Sequence, residues 1–350
     1  MKIGYSFWGF LGNGVTDTPD GGRSHRRPFI DALLDRGHDI VFLQADRDRL
    51  EAGNDLGGAY TFDNGLPDID ALFLEWRWAI TGRNTTTCGT EEHTCDLHCQ
   101  AQLLTHYTAR RRTPTVIWDK DRTLRAESVW RRTKHTSILE AALTPSLGAR
   151  SLLFPVTDDL LAQADPVVLA AQRRDLALAY VGNQYDRDEP FDRFFAPAAA
   201  GVEHLVAGKW TKTHRWPHVR FVGRIPFEAA VGVHARSLTT VLMLPARYAA
   251  VGQMTQRIFE AVLAGCLPLA PADIKHVDRF VPNELIVRSG RDVIERLAYL
   301  RDIAGTRQHA DLIAACVDRL RLFSLNRQVN TLEDVLHTLV RTPATGRGAA

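Results

Sequence analysis

Three short stretches carry side chains whose types and spacing suit chemistry. In the segment over 252–271, Arg257 and Glu260 stand three apart on a predicted helix and therefore share a face. A guanidinium suits a diphosphate, and a carboxylate can accept from both hydroxyls of a ribose, so the pair fits a nucleoside diphosphate. By itself the spacing fits an ordinary surface salt bridge at least as well. Asp119-Lys120-Asp121-Arg122 follows a predicted strand, at the end where open α/β sheets bind ligands, and reads either as acid/base machinery or as a charged turn. Cys88, His93, Cys95, His98 and Cys99 crowd into one tract. Thiolate and imidazole suit zinc, but the tract lacks the Cys-x2-Cys pairs of common structural sites. It is expected to be a polar loop leading into a helix near Asp96, and no metal is assigned.

These groups need elements to position them. A strand over 2–8 runs into a loop with Gly12, Gly14, Gly21 and Gly22, and then into a helix over 24–36 that Gly37 ends. Glycines before a helix let backbone amides approach an anion, although the spacing is not the Gly-x-Gly-x-x-Gly of dinucleotide sites. Further strands are predicted over 39–43, 71–76, 115–118, 137–139 and 151–154, with a helix over 96–109 after the Cys/His tract. A helical stretch over 157–175 bridges to a second alternation. There, a strand over 176–181 ends in the polar turn Gly182-Asn183-Gln184-Tyr185-Asp186-Arg187-Asp188, followed by a helix near 190–195 and strands over 202–207 and 220–222. The turn Gly223-Arg224-Ile225-Pro226 opens a helix, with Pro226 suited to its first turn. A strand over 239–244 precedes the Arg257 helix, which Gly265 stops before a Leu-Pro-Leu strand, and 285–287 is the last strand. Helices over 290–303, 308–323 and 332–340 close the chain before a frayed tail. The fold class is therefore α/β: two facing doubly wound Rossmann-like domains with an interdomain cleft. The domains are expected at 1–165 and 166–325, with a C-terminal helix and tail over 326–350 packing back on the first.

Composition narrows the function. The 350 residues are 45% hydrophobic with a formal charge of +2, so nothing in the net charge announces a polyanion partner. The basic clusters around Arg23, Arg110 and Arg131 are expected to be solvated faces or phosphate-facing loops. No apolar run approaches the ~20 residues of a membrane helix. The first ten residues lack the apolar core of a signal peptide, so a cytoplasmic location is expected. Five cysteines, an odd number, do not suggest a disulfide framework.

The turns at 182–188 and 223–226 and the Arg257 helix come in the order of a nucleotide-sugar half-domain, and the C-terminal half resembles the GT-B glycosyltransferases. Two branches are similar. The CgeB-like group shares the pattern Arg-x-Phe-Glu-Ala-x-x-x-Gly, present from Arg257 to Gly265. The T-even phage DNA β-glucosyltransferases share length and turn order. In that family a Gly-Lys-Ile-Pro turn meets the uracil, which Gly223-Arg224-Ile225-Pro226 resembles, and an Arg and a Glu three apart hold diphosphate and ribose, as Arg257 and Glu260 are spaced. Its Gly-Gly-Ser turn is matched in part by Gly182 and Asn183. Its phosphate-binding arginines are not matched in place, Arg187 being the nearest substitute. The family's base is an Asp after a strand followed by a Trp, which Asp119 or Asp121 with Trp130 resembles. The family's carboxylate on the first helix aligns with His25, and a His there also resembles the base of small-molecule inverting enzymes. Retaining members of a related family carry Glu-x7-Glu; with Glu260 as the second, Gly252 stands where the first belongs, which favours inversion.

The resemblance implies an enzyme, a hexosyltransferase that moves a sugar from a nucleotide-diphosphate donor, a UDP-sugar favoured, to a hydroxyl of a small molecule. It implies donor contacts at Gly14, Gly182, Asn183, Arg187, Arg224, Ile225, Arg257 and Glu260, with catalysis by His25, Asp119 or Asp121 and no obligatory cofactor. DNA carrying a modified base is the alternative acceptor. A sugar-nucleotide epimerase and a non-catalytic nucleotide-sugar binder are the alternatives of other classes.

Overall fold

The computed structural model describes residues 1–12 and 22–341; the expected donor contact Gly14 and the tail beyond 341 lie outside them. The chain divides into two compact units. Met1–Gly12, Arg26–Leu153 and Asn326–Ala350 form the first, and Asn13–His25 with Phe154–Leu325 the second.

The first unit holds a seven-stranded sheet. Its strands are β1 (Lys2–Ser6), β2 (Asp39–Phe42), β3 (Thr61–Phe62), β4 (Ala71–Glu75), β5 (Thr115–Asp119), β6 (Thr136–Glu140) and β7 (Ala149–Ser151). They lie in the order β3-β2-β1-β4-β5-β6-β7, and every pairing is parallel. Parallel strands covered on both faces read as unbroken apolar runs, and β4 and β5 are buried at every position. Leu72, Leu74, Ile117 and Ile138 pack with Leu103, Leu104 and Tyr107 from the segment after the Cys/His tract. That segment begins as an α-helix over Asp96–Leu103 and widens to a π-helix over Leu104–Arg110, where one continuous α-helix was expected. The order turns outward between β1 and β4, the position at which doubly wound sheets bind ligands.

The second unit holds six parallel strands: β8 (Leu176–Val181), β9 (His204–Ala207), β10 (Phe221–Gly223), β11 (Ser237–Val241), β12 (Leu267–Pro271) and β13 (Ile286–Val287). Their order is β10-β9-β8-β11-β12-β13, with the corresponding turn-about between β8 and β11. The sheets are the two Rossmann-like arrays expected from the sequence.

Some boundaries differ from expectation for identifiable reasons. Strand β3, only two residues long, carries too little pattern to announce itself. The helix expected directly after Pro226 begins at Ala229, because residues 227–228 form a turn first. The last helix spans Leu325–Arg341, starting well before 332. Its early turns are polar in sequence, yet Gln328 is buried and accepts a hydrogen bond from the Leu153 amide at 2.9 Å.

Candidate active site

In the second unit the chain leaves β8 at Gly182, with φ +156°. A Cβ there would lie 2.5–2.7 Å from Nε, Nη2 and Cζ of Arg257, so only glycine admits that guanidinium. Arg257 opens the helix Arg257–Val262 and donates from Nε to the Val181 carbonyl at 2.7 Å and from Nη1 to Thr255 Oγ1 at 3.3 Å. Its charge also lies over the Tyr180 ring, 5.4 Å from the centroid. Opposite, Trp210 donates from its indole to the Gly182 carbonyl at 2.8 Å, and the Asn183 side chain accepts from the Lys209 amide at 2.8 Å. Gly208 lets this approach happen, since a Cβ on it would lie 2.1 Å from the Gly182 oxygen.

Arg187 faces inward from the same turn. It is buried and donates to the carbonyls of Met243, Asn183 and Tyr185 at 3.1, 3.2 and 2.8 Å. Arg187, the nearest substitute for a phosphate-binding arginine, ties the turn after β8 to the chain leaving β11. Ile225 packs partly buried against Leu176, Leu205 and Ala207, placing the 223–226 turn on the sheet; Arg224 beside it is half-buried.

Glu260 lies one helical turn from Arg257. Burial pushes its carboxyl up, while a hydrogen bond from Ser24 and the charge of Arg257 pull it down. Ser24 and its neighbours in the first turn of helix α1 (Arg23–Asp35) cluster with this unit. Arg23 sits over the Phe227 ring at 5.8 Å, and His25 is buried with its ring 4.6 Å from that of Phe154. The structure thus brings Arg257, Glu260, Gly182 and the turn preceding Phe227 together with the residues flanking His25. His234 lies near Arg257 as well. It is fully buried, neither ring nitrogen has a hydrogen-bond partner, and burial followed by the Arg257 charge pushes it down to about 4.

In the first unit, three adjacent strands each end in an acid: Glu75, Asp119 and Glu140. Register places Glu75 beside Trp118 and Asp119 beside Glu140, so the carboxylates line one edge. Asp119 accepts from the amides of Thr123 and Leu124 at 3.0 and 2.9 Å, with both oxygens turned into its own loop. Burial raises its pKa against the pull of those amides. Asp119 is a turn anchor, and Asp121 is the half-exposed member of the pair. Glu140 is held by Arg122 and Arg131 at 2.5 and 2.9 Å.

The densest charge was not singled out by sequence reasoning. Glu75 takes a two-pronged contact from Arg26, Nε and Nη2 both at 2.9 Å, and further contacts from Lys120 at 2.5 Å and Tyr5 Oη at 2.6 Å. Arg77 stands 3.8 Å away. Burial works to raise Glu75, yet Arg26, Lys120 and Arg77 hold it well below the usual carboxylate range. Tyr5 is driven well above its ordinary value, first by burial and then by Glu75. Three cations on one carboxylate leave a net positive edge at the turn-about between β1 and β4. The signal in sequence was an apolar strand run closing on an acid, with Arg26 hidden among the basic residues at 23–27.

Comparison with known proteins bears on the fold and on one segment of the chain. Residues 187–334 match a family model described as glycosyl transferase-like. A search of the curated proteins finds no match. Among solved structures, the DNA modifying enzyme β-glucosyltransferase, studied with and without uridine diphosphoglucose, is 13% identical with a TM-score of 0.64, covering 96% of this chain and 100% of that one. AviGT4, a glycosyltransferase involved in avilamycin A biosynthesis, is 12% identical with a TM-score of 0.60 over 98% of each chain. Anabaena Alr3699/HepE in complex with UDP-glucose is 12% identical with a TM-score of 0.58, over 97% of this chain and 100% of that one. At such identities the structures speak to the fold, and the matched segment speaks to the class. Together they show a fold of GT-B architecture, with a glycosyl transferase-like match over residues 187–334. The resemblance drawn from the turns at Gly182 and Gly223 and from the Arg257 helix therefore holds.

Proposed function

We propose that the protein moves a hexose from a UDP-sugar to a hydroxyl of a small-molecule acceptor, with inversion at the anomeric carbon. The observation that carries this reading is the guanidinium of Arg257 held against the Cβ-less Gly182 at the end of β8, with Glu260 one helical turn away. Here the diphosphate lies over Gly182 and Asn183 and faces Arg257 and Arg224, Glu260 accepts from the ribose hydroxyls, and the base rests near Ile225. As the acceptor oxygen bonds to the anomeric carbon, the bond from that carbon to the diphosphate breaks and its electron pair stays on the leaving phosphate. The cations and backbone amides of the turn stabilise that charge, so no obligatory cofactor is called for.

His25 takes the acceptor proton in this scheme, because it adjoins Ser24, the hydroxyl bonded to Glu260. Asp119, committed to its own turn, is the weaker base, and Asp121 is the reserve. Gly252 in place of an acid favours inversion over retention. The UDP-glucose complexes and the natural-product enzyme among the structural neighbours support donor and acceptor class. No helix among the described residues is long and apolar enough to cross a membrane, in keeping with a cytoplasmic enzyme.

A thermal-shift panel of UDP, UDP-glucose, ADP and GDP tests the donor, since a ligand that binds the folded state raises its melting temperature by mass action. Uridine nucleotides are expected to stabilise the wild type and to leave Glu260→Ala unmoved; no shift with any uridine nucleotide overturns the reading. Incubation with UDP-glucose alone separates transfer from epimerisation. Sugar transfer to hydroxymethylated DNA that collapses with added salt would replace the small-molecule acceptor with DNA.

A further inference from the structure

The loop between β4 and the helix Asp96–Leu103 is a long irregular stretch in which Asn84 alone, among residues 77–95, is buried. No buried apolar side chain holds it, and segments without a core of their own commonly need a staple. Its frame is polar: Asn84 donates to the Trp78 carbonyl at 3.0 Å and to Asp96 Oδ2 at 3.1 Å, and the Thr94 amide donates to the Arg83 carbonyl at 3.1 Å.

Within that frame, one ligand atom each of Cys88, His93 and Cys95 lies within 4.8 Å of the others. His98 Nδ1 is 3.5 Å from Cys88 Sγ. In a tetrahedral zinc centre, bond lengths of about 2.3 Å to sulfur and about 2.0 Å to nitrogen put neighbouring sulfur and nitrogen ligands roughly 3.5 Å apart. We propose that Cys88, His93 and Cys95 form the core of a structural zinc site that fixes this loop, with His98 closing on the metal from beside Cys88 as the fourth ligand.

The tautomer of His93 is set for the role. Its Nδ1 is 2.8 Å from Thr86 Oγ1, whose own hydroxyl reaches the Arg83 carbonyl at 3.4 Å. Nδ1 therefore carries the proton, and the lone pair lies on Nε2, which is shut from solvent and has no hydrogen-bond partner. An outer partner of this kind is the usual means of orienting an imidazole toward a metal. Cys95 occupies the N-cap of the helix without making a side-chain cap bond, so its sulfur is not spent on a backbone amide. His98, three residues on, shares its face. Binding releases the two thiol protons, and the dication with two thiolates makes a neutral centre. Two sulfurs and two nitrogens leave no open position, and the set is too soft for magnesium or manganese. His98 and Cys99 both lie outside the triad, and His98 is taken as the fourth ligand because its Nδ1 already stands 3.5 Å from a triad sulfur.

The test uses the full chain, purified with reductant, stripped with chelator and reloaded with Zn2+ or Co2+. Elemental analysis is expected to give one zinc per chain after desalting. The cobalt form is expected to show thiolate-to-metal charge transfer and the strong visible bands of a tetrahedral site. Cys88→Ser and His93→Ala should lose the metal and Cys99→Ser should keep it, with far-ultraviolet circular dichroism checking each fold. Failure of the wild type to retain zinc overturns the proposal, and that result depends on no variant. A weak octahedral cobalt spectrum, equal metal loss in Cys99→Ser, or a Cys88–Cys95 disulfide that persists in reductant would each overturn it too. None of these readouts depends on sugar transfer, so the proposal stands or falls apart from the donor reading.

Discussion

Adding a single methyl group at Gly182 would test the donor site most directly. In Gly182→Ala the new Cβ sits 2.5–2.7 Å from three atoms of the Arg257 guanidinium, roughly 1 Å inside ordinary contact. The strand end cannot retreat, because Trp210 holds the Gly182 carbonyl and the Val181 carbonyl takes the Arg257 Nε at 2.7 Å. The side chain must therefore swing out, giving up that charge-assisted bond and its proposed place beside the diphosphate. A hydrogen bond to a charged group is worth about 1.5–3 kcal/mol, which converts to a loss of about ten- to hundredfold in UDP affinity. Isothermal titration with UDP reads the loss. Because both substitutions act on one guanidinium, Gly182→Ala in an Arg257→Ala background should add little. A Gly182→Ala protein that binds UDP within twofold of wild type, or that loses as much again without Arg257, would refute the reasoning.

Other perturbations probe the buried charges. Glu75→Gln leaves Arg26, Lys120 and Arg77 facing a neutral amide, and should cost about 3–5 kcal/mol in denaturant unfolding. Since Glu75 titrates below its unfolded value, its contribution is full above about pH 4.5 and fades as the pH falls; the variant should lose that part of the acid sensitivity. His234 works at another pH. Held at about 4 against an ordinary 6.5, it resists protonation that the unfolded chain accepts, so falling pH should erode stability from 6.5 down to about 4, by roughly 3 kcal/mol in all. His234→Leu should flatten melting temperature against pH over that interval. Arg187→Ala removes a buried cation from three carbonyls and should lower stability by about 3 kcal/mol or more. UDP affinity should fall with it, although in this structure the side chain turns away from the surface of the turn.

The sequence made the strands that end in glycine turns legible, because an apolar run followed by Gly-Asn or Gly-Arg is a local signal. Strand β8 was placed to the residue, and the Arg257 helix was recognised by its neighbours in order. Long-range partners were less readable. Nothing near Arg187 in sequence says that its guanidinium will meet the carbonyl of Met243; the resemblance offered it only as the nearest substitute for a phosphate-binding arginine. The pairing of Arg26 with Glu75 was hidden for the same reason, one residue in a basic cluster and the other at the end of a strand. Asp119 and Asp121 looked equivalent until the Thr123 and Leu124 amides distinguished them. The Cys/His tract lacked a familiar metal spacing because its residues lie in a loop and in the first turn of a helix rather than in two knuckles.

The return of the chain's last helix to the first unit has a consequence for synthesis. Val329, Leu332, Val335 and Leu336 are buried there, and Glu333 meets Arg36 and His38 at 2.5 and 3.0 Å. A ribosome that has reached residue 325 has made every residue of the second unit, while the first still lacks this buried helix. The unit that holds β1 is thus the later of the two to finish folding. Until residues 326–341 emerge its apolar flank waits uncovered, so truncation within this helix would strand the sheet of the first unit.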